Sequence, residues 1–457
     1  MSTPALLLFA HQARSYATMI KAYTDRLGIA LVLLSSKPRD PRDLEQTAAV
    51  GAARLWHVED EYLDDSHVEN VLGEARKEGI EVIAALATFE GYRLLMARTN
   101  RLLGAVDADP DALHTCMDKL LCRQRLSSIG LSRARATVLD AAVLPALLAN
   151  GRLSFVKPRR GAGSFACFRL DETVTLERLR ALQEQMRSDK AFRAIFAGEF
   201  DFIAEDYVRG DEYSFEVIVA ACETYVIGVH AKYVDDASGT TLEMGNSLPA
   251  PRLTDAQQLA GERFVAQCLA ALQLHEGCYH IETRYDADSD HWDIIEINAR
   301  MGGALINQSI GVFTNGLSML ELWVQTLCKA STGDDADAAA QRTKLAGLRE
   351  STRRNNGELD YGTVFFSRYG KRNRTLEALS IDQLSPPPDV VDIPVRLNTK
   401  LPDSERGIFI LNALWKVPVP AIAEQLHALS AMLDEKLVVR YSDAAATAAD
   451  TTTQEKP

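Results

Sequence analysis

The chain has 457 residues, of which 47% are hydrophobic and 25% are charged, and this predicts a globular protein of several lobes. Its formal net charge of -13 argues against nucleic acid or an anionic membrane as the main partner, so we expect a small-molecule partner. Seven cysteines without a CxxC pair indicate neither a disulfide framework nor a zinc site, and a reducing cytoplasm fits them best.

The first hundred residues alternate strand-like and helix-like runs. Apolar runs at residues 4–10, 30–36 and 82–87 are separated by helical patterns, one of them at 16–27. The first run is too short to span a membrane and lacks the basic flank of a signal peptide. The alternation predicts a parallel sheet flanked by helices, in an N-terminal α/β domain over residues 1–110.

The middle of the chain has a different pattern. A helix is predicted at residues 111–129, and from 154 to 297 β-branched and aromatic runs are broken by Gly and Asp turns. That composition predicts a largely antiparallel sheet with inserted helices. We assign residues 111–330 to this second domain.

The C-terminal third begins with ASTGDDADAAAQ, residues 330–341, which is small and acidic enough to be a linker or an exposed loop. Further strand signals and an amphipathic helix near 421–433 predict a C-terminal subdomain over residues 342–442, with an exposed charged loop at 349–362. Residues 443–457 contain too little apolar material to fold, so we expect a disordered tail.

The segment CYHIETRYDADSDHWDIIEIN, residues 278–298, contains two strand-like runs joined by an Asp/Ser-rich turn. If the turn is centred on Ser289, Glu282 lies opposite Glu296. In an extended chain residues 296, 298 and 300 share one face, and residues 295, 297 and 299 pack on the other.

Two carboxylates that face each other on a sheet repel, and a divalent cation between them would remove this penalty. Mg²⁺ prefers hard oxygen ligands, and Asn298 offers another oxygen next to Glu282 and Glu296. Arg300, one pleat further on, could hold a phosphate or a carboxylate. The alternative is a solvated strand face with a chance pair of acids.

The segment FVKPRRGAGSFACFRL, residues 155–170, fits GxGxxA at Gly161, Gly163 and Ala166. A strand-like run follows the glycines where a dinucleotide-binding fold would begin a helix, so a glycine-rich hairpin is the better description. Its backbone N–H groups could cover phosphates, and Lys157 could reach the same anion. A plain flexible hairpin is an equal alternative.

The segment FIAEDYVRGDEYSFEVIV, residues 202–219, is an apolar strand, a polar hinge and a second, alternating strand. Taken alone, Glu205 and Glu212 would be ordinary surface acids.

In their order along residues 105–327, MDKLLCRQRLSSIGL, FVKPRRGAGS, EDYVRGDEYSFEV, HAKY, HIETRYD and IIEINARMGG resemble the ATP-grasp superfamily. EMGNSLP, residues 243–249, followed by NARMGG looks like its carboxylate-amine ligase branch, which includes bacterial dipeptide or L-amino acid ligases. The resemblance implies an α/β and α+β fold of several lobes, with an N-terminal Rossmann-like parallel-sheet lobe and central antiparallel-sheet lobes that bind ATP.

The resemblance also implies roles for individual residues. The phosphates of ATP would contact Lys119, Lys157, Lys232 and the loop with Gly161, Gly163 and Ser164; adenine would contact Glu205, Asp206 and Val208; ribose would contact Glu212; and Mg²⁺, with Mn²⁺ as a substitute, would be bound by Glu282, Glu296 and Asn298. Arg300 would steady an acyl phosphate and, with Lys157 and Lys232, form the catalytic set.

The implied activity is formation of an amide or dipeptide from a small carboxylate and an amine, with release of ADP. The resemblance also implies that the chain could form a homodimer, since homodimers are frequent in this superfamily. A bicarbonate-using carboxylase and a nucleotide-binding protein without turnover are the alternatives. Arg159 and Arg160 could bind substrate or be solvated, and His230 and His280 could contact substrate or be structural.

Overall fold

A computed structural model of the chain describes residues 3–235, 241–353, 360–403 and 407–442. Within these ranges the strands form a parallel sheet of four strands and antiparallel sheets of eight, four and three strands. No helix in these ranges has the length and apolar character needed to cross a lipid bilayer. The predicted disordered tail, 443–457, lies outside the described residues.

The N-terminal lobe is the predicted parallel sheet with helices packed on it. Its elements are β1 (Thr3–Ala10), α1 (Ala17–Leu27), β2 (Ala30–Ser35), α2 (Pro41–Ala48), β3 (Arg54–His57), α3 (Asp65–Lys77), β4 (Ile80–Ala87) and α4 (Arg93–Leu103). The strand order is β3-β2-β1-β4. β1 is central and apolar along most of its length, because helices cover both faces of such a sheet.

The predicted single helix at 111–129 is wrong, because two helices occupy this segment. They are α5 (Pro110–Met117) and α6 (Lys119–Ser128). Asp118 between them is extended, with φ -93° and ψ 104°, and its carboxylate accepts the N–H groups of Leu120 and Leu121. This N-cap begins a new helix and makes Lys119 its first residue.

A small lobe follows, built on the sheet β5-β8-β6-β7. Its elements are β5 (Ala136–Val138), α7 (Val143–Asn150), β6 (Ser154–Pro158), β7 (Phe168–Arg169), α8 (Leu176–Ser188), α9 (Arg193–Phe196) and β8 (Phe202–Asp206). β6 and β7 are antiparallel neighbours, so the glycine-rich segment joins two strands of a hairpin, as predicted.

The small lobe contacts the N-terminal lobe through the backbone of its segment 189–191. His11 Nε2 donates to the carbonyl of Ala191 at 2.9 Å, Gln12 Nε2 donates to that of Lys190 at 3.0 Å, and the Tyr62 hydroxyl donates to the same carbonyl at 2.8 Å. We call these three side chains the latch. It holds the small lobe against the N-terminal lobe.

The largest sheet has the order β13-β12-β9-β10-β11-β14-β18-β16 and is antiparallel, which confirms the prediction for the middle of the chain. Its strands are β9 (Asp211–Ala220), β10 (Glu223–Asp235), β11 (Leu242–Leu248), β12 (Gly277–Asp286), β13 (His291–Asn298), β14 (Tyr361–Tyr369), β16 (Val390–Asp392) and β18 (Phe409–Pro418). The helices beside it are α10 (Asp255–Ala271), α11 (Ile306–Phe313), α12 (Met319–Ser331), α13 (Asp335–Arg353) and α14 (Ile422–Lys436).

The three-stranded sheet consists of β15 (Thr375–Ser380), β17 (Thr399–Lys400) and β19 (Val438–Tyr441). The C-terminal segment thus adds strands to the central sheet, and the predicted domain bounds stay a prediction.

Two predictions for the C-terminal third are wrong. Residues 330–341 are not a linker or loop, because α13 begins at Asp335 and the carboxylate of Asp334 accepts the N–H groups of Ala336 and Asp337. Alanines favour a helix once such a cap is present. Residues 349–353 belong to the same helix rather than to a loop, and 354–359 lie outside the described residues. The amphipathic helix near 421–433 is confirmed as α14.

The hairpin of β12 and β13 has the predicted register where it matters for the site. Glu282 lies opposite Glu296. Thr283, the next residue of β12, pairs with Ile294, so Ile295 has no partner in β12 and forms a β-bulge.

The bulge changes which side chains pack. Ile297 and Ala299 are buried as predicted, but Ile295 lines a cavity and Ile294 takes its place in the core. The predicted packing of Ile295 is therefore wrong, and symmetry about Ser289 holds only on the Glu282 side of the bulge. A bulge shifts the alternation by one residue, which a strictly alternating pattern does not include.

Candidate active site

A cavity of about 240 Å³ is lined by residues of the small lobe and of the eight-stranded sheet. Twelve of the predicted site residues line it: Lys119, Lys157, Gly161, Gly163, Ser164, Glu205, Val208, Glu212, Glu282, Glu296, Asn298 and Arg300. The sequence motifs, which lie far apart along the chain from Lys119 to Arg300, therefore meet around one space.

Two predicted residues do not line this cavity. The Asp206 carboxylate accepts the N–H of Arg135 and a bond from the Arg152 guanidinium, both at 3.0 Å, so its side chain is held elsewhere. Lys232 is buried behind the wall, with Nζ 2.6 Å from Glu282 Oε1 and 3.0 Å from Glu243 Oε2. Lys232 does not line the cavity itself, but Glu243 and Glu282, the two acids that it contacts, both do.

The two opposed glutamates each have a lysine partner. Lys119 Nζ lies 2.9 Å from Glu296 Oε1 and donates to the carbonyl of Gly161 at 2.8 Å. Lys232 holds Glu282 on the other side. A divalent cation is therefore not the only group that can relieve the repulsion between the two acids, because two lysines already balance their charge.

The two glutamates differ in their pKa values. Burial, with the nearby charge of Glu282, raises the pKa of Glu296 although Lys119 opposes the shift. Burial acts on Glu282 in the same direction, but Lys232 and His280 outweigh it and hold the pKa of Glu282 well below its usual range. Environments that separate the pKa values of two neighbouring carboxyls are typical of active sites.

Lys157 is held in place from two directions. Its Nζ lies 2.5 Å from Glu205 Oε1 and donates at 3.0 Å to the carbonyl of Ile295, the bulged residue. Glu205 also pairs with Arg123 at 3.3 Å. Burial raises the pKa of Glu205, but Lys157 and Arg123 outweigh it and lower that pKa, so the carboxylate is charged. The Glu205 side chain therefore orients Lys157, a contact that the sequence did not indicate.

The hinge between β8 and β9 joins the small lobe to the large sheet and is fixed by Arg284. This guanidinium lies 3.1 Å from Glu212 Oε2, donates to the carbonyl of Val208 at 2.8 Å, and lies 5.1 Å from the centre of the Tyr207 ring. The sequence analysis missed Arg284, although this residue lies two positions after the predicted Glu282 on β12 and therefore on the same face of the strand.

Arg300 is held by an acid of the N-terminal lobe that the sequence analysis also missed. Its Nη2 lies 2.9 Å from Glu90 Oε2, and its Nη1 donates to the carbonyl of Met301 at 3.0 Å. Glu90 begins a short 3-10 helix, Glu90–Tyr92, directly before α4. The N-terminal lobe thus positions a guanidinium on the cavity wall.

The residues with two open interpretations have protein partners. Arg159 pairs with Asp118 at 2.7 Å, and Arg160 is buried and donates to the carbonyl of His114, so the solvated alternative is wrong for Arg160. His230 and His280 are both buried. Burial opposes the charged form of His280, but Glu216 and Glu282 outweigh it and raise its pKa to about 9.

The predicted metal ligands fit Mg²⁺ by their chemistry. Within the described residues no group of three or more His, Cys, Asp or Glu side chains is arranged to hold a metal. The predicted ligands are not such a group, because only two of them are carboxylates, those of Glu282 and Glu296, and the third is the amide of Asn298 on the same cavity wall. Hard oxygens from one or two carboxylates, completed by phosphate and water, suit Mg²⁺.

Cys167 also lines the cavity, at the end of the glycine-rich loop. Burial raises the pKa of its thiol to about 12. A thiol that stays protonated at neutral pH is a poor nucleophile.

Comparison with protein families matches residues 154–308 to the ATP-grasp domain. This segment runs from β6 to α11 and contains most of the cavity wall. Comparison with curated proteins finds no match.

Several solved structures have similar folds. An L-amino acid ligase from Bacillus licheniformis has a TM-score of 0.69 and 16% identity, covering 97% of this chain and 100% of that one. A phosphoribosylglycinamide synthetase from Anaerococcus prevotii has a TM-score of 0.59 and 13% identity, covering 96% and 100%. A biotin carboxylase from Campylobacter jejuni has a TM-score of 0.61 and 13% identity, covering 96% and 92%. At these identities the likeness establishes the fold.

Proposed function

We propose that this chain, which has the ATP-grasp fold that its motifs predicted, is an ATP- and Mg²⁺-dependent ligase that joins a small carboxylic acid to an amine. The product would be an amide, and a dipeptide where both substrates are amino acids, made in the cytoplasm. The likeness to an L-amino acid ligase supports this branch of the superfamily.

One observation carries the proposal: Lys119, Lys157 and Arg300 line the same cavity as Glu282 and Glu296. Phosphoryl transfer needs positioning and charge neutralisation more than it needs a protein nucleophile. The cavity supplies cationic side chains for phosphate oxygens and acids for a metal ion. A solvated strand face would instead expose the two acids, whereas each of them is paired with a buried lysine.

The nucleotide would lie between the small lobe and the large sheet. Its phosphates would contact Lys119, Lys157 and the loop that contains Gly161, while the adenine would lie against the hinge at residues 205–208. Glu212 would bind the ribose hydroxyls. Mg²⁺ held by Glu282, Glu296 and Asn298 would neutralise phosphate charge.

A carboxylate is a poor electrophile, so the reaction would proceed in two steps. A carboxylate oxygen forms a bond to the γ-phosphorus as the bond to the ADP oxygen breaks, which gives an acyl phosphate. The amine nitrogen then bonds to the acyl carbon, phosphate leaves with the electrons of the C–O bond, and the nitrogen loses a proton. Arg300, held by Glu90, would steady the phosphate and the oxyanion.

The experiment is a screen of the purified protein with pools of amino acids and small acids, measuring ADP and phosphate release, followed by the product mass. We expect release that depends on both an acid and an amine. Release that needs bicarbonate and no amine would favour a carboxylase. A melting temperature raised by Mg²⁺ and ATP, without any ADP, would favour a nucleotide-binding protein without turnover.

A further inference from the structure

At the cavity wall, Glu282 is linked to a second carboxylate by the imidazole of His280, which also lines the cavity. His280 Nε2 lies 3.2 Å from Glu282 Oε1, and His280 Nδ1 lies 2.8 Å from Glu216 Oε1. Glu216 lies on β9 and is fully buried, while His280 is 5% exposed. Both ring nitrogens of His280 therefore lie within hydrogen-bond distance of a carboxylate oxygen, and the imidazole links the two acids.

Glu216 is itself fixed by further contacts. It accepts a hydrogen bond from the Ser214 hydroxyl at 3.0 Å, and His230 Nδ1 lies 3.4 Å away. The other side of the His230 ring, Nε2, lies 2.9 Å from the hydroxyl of Ser309 on α11. The carboxylate behind His280 therefore has little freedom to rotate.

A glycine of the NARMGG segment provides the space for the His280 ring. A Cβ atom at Gly302 would lie 2.8 Å from His280 Nδ1, too close for an ordinary contact. The backbone that follows the proposed ligand Asn298 thus approaches the ring directly.

We propose that Glu216 and His280 are positioning residues that fix Glu282 for binding Mg²⁺. This inference rests on the proposed function, in which Glu282 is a metal ligand. The hydrogen bonds from His280 and Lys232 both fall on Oε1 of Glu282, which leaves Oε2 for a cation. Groups that hold a ligand from behind typically change metal affinity about 10- to 100-fold when they are removed.

The test uses Mn²⁺ as the probe, in the presence of saturating ADP. Free Mn²⁺ is measured from its electron paramagnetic resonance signal, and ADP binding without metal is measured by calorimetry. We expect Glu216→Gln and His280→Gln each to weaken Mn²⁺ binding about 10- to 100-fold while metal-free ADP affinity stays unchanged. Glutamine at position 280 retains a hydrogen-bond donor for Glu282, so the loss of Mn²⁺ affinity should be smaller for His280→Gln than for Glu216→Gln.

Ser309→Ala is the matched control, because it removes a buried hydroxyl of the same network that touches His230 and not Glu282. It should leave Mn²⁺ affinity unchanged. Circular dichroism and melting curves show whether each variant folds. If either Glu216→Gln or His280→Gln does not fold, the measurement on the remaining one of these two variants tests the proposal.

Glu296→Gln distinguishes failure of the positioning role from failure of the proposed metal site. If it weakens Mn²⁺ binding while the Glu216 and His280 variants do not, the positioning role is overturned and the proposed metal site stands. If Ser309→Ala weakens binding as much as Glu216→Gln does, the network is structural and the positioning role is also overturned. If Glu296→Gln leaves Mn²⁺ binding unchanged, the proposed metal site is wrong and the positioning role falls with it.

Discussion

Lys119 Nζ lies 2.9 Å from Glu296 Oε1, so one of the two opposed glutamates is matched by a lysine from the first turn of α6. Glu296→Gln should therefore leave the fold intact, because the glutamine oxygen can still accept from Lys119. It should reduce turnover about 100-fold or more, since it removes a charged ligand from the proposed metal site. ADP release and the melting temperature measure the two effects.

Glu377→Gln is the control, because Glu377 lies exposed on β15 away from the cavity. Its turnover and melting temperature should equal those of the wild type. Unchanged turnover in Glu296→Gln would contradict the proposed role of this glutamate, and severe unfolding would contradict the lysine-balanced pair.

Lys157→Ala tests the phosphate contact. The substitution removes a buried cation while Arg123 still pairs with Glu205. We expect ATP affinity to fall about 10- to 100-fold, since a charge-assisted hydrogen bond contributes about 1.5 to 3 kcal/mol. Isothermal titration with ATP measures it, with the half-exposed Lys37→Ala as control. ATP affinity equal to that of the control would show that the phosphates lie elsewhere.

Local patterns predicted much of the fold and of the cavity. Alternation placed Glu296, Asn298 and Arg300 on one face, and all three line the cavity. The bulge at Ile295 could not be predicted, because it depends on how β12 pairs with its neighbours rather than on the local sequence. The N-cap at Asp118 was overlooked, although an Asp within a helical pattern is a signal for a helix start.

The missed site residues fall into two classes. Arg284 and Glu216 lie on strands that the motifs already contained. Arg284 is an even number of residues from Glu282, and Glu216 is an even number from Glu212. Each therefore shares a strand face with a predicted site residue, and the alternation of side chains could have identified both. Glu90 offered no such signal, since it lies 210 residues from Arg300 in a lobe with a different fold. Pairs of that kind are set by how the lobes pack, which no local pattern encodes.

Arg93 and Asp107 form a buried ion pair that supports the Arg300 segment. Two hydrogen bonds of 2.6 and 2.9 Å join them, and Arg93 Nε donates to the carbonyl of Ala299 at 2.9 Å. Arg93→Met should cost about 3 to 5 kcal/mol of unfolding free energy, because it leaves the Asp107 charge buried and unpaired. Urea unfolding measures this loss.

Arg98→Met is the matched control on the same helix. Arg98 pairs with Asp65 at 2.8 Å, and both side chains are more than 40% exposed. Exposed pairs contribute at most about 1 kcal/mol. Equal losses for the Arg93 and Arg98 variants would mean that the buried pair adds nothing beyond an ordinary surface contact.

His11 should make the latch sensitive to pH. Its ring stacks on Phe89 with centroids 4.0 Å apart, Nε2 donates to Ala191, and Nδ1 lies 3.0 Å from the Tyr92 hydroxyl. Burial lowers the pKa of His11 to about 4. In the unfolded chain the pKa is about 6.5, so between these values the unfolded state binds more protons and stability rises with pH.

The contribution of neutral His11 is therefore fully present above pH 6.5 and is lost as the pH falls through 4. His11→Gln removes the titrating group, so its stability deficit relative to the wild type should shrink by up to about 3 kcal/mol between pH 7.5 and pH 4. Urea unfolding at several pH values measures the deficit. Gln12→Ala removes a latch contact without a titrating group, and its deficit should be constant. A constant deficit for His11→Gln as well would show that burial does not hold the histidine neutral.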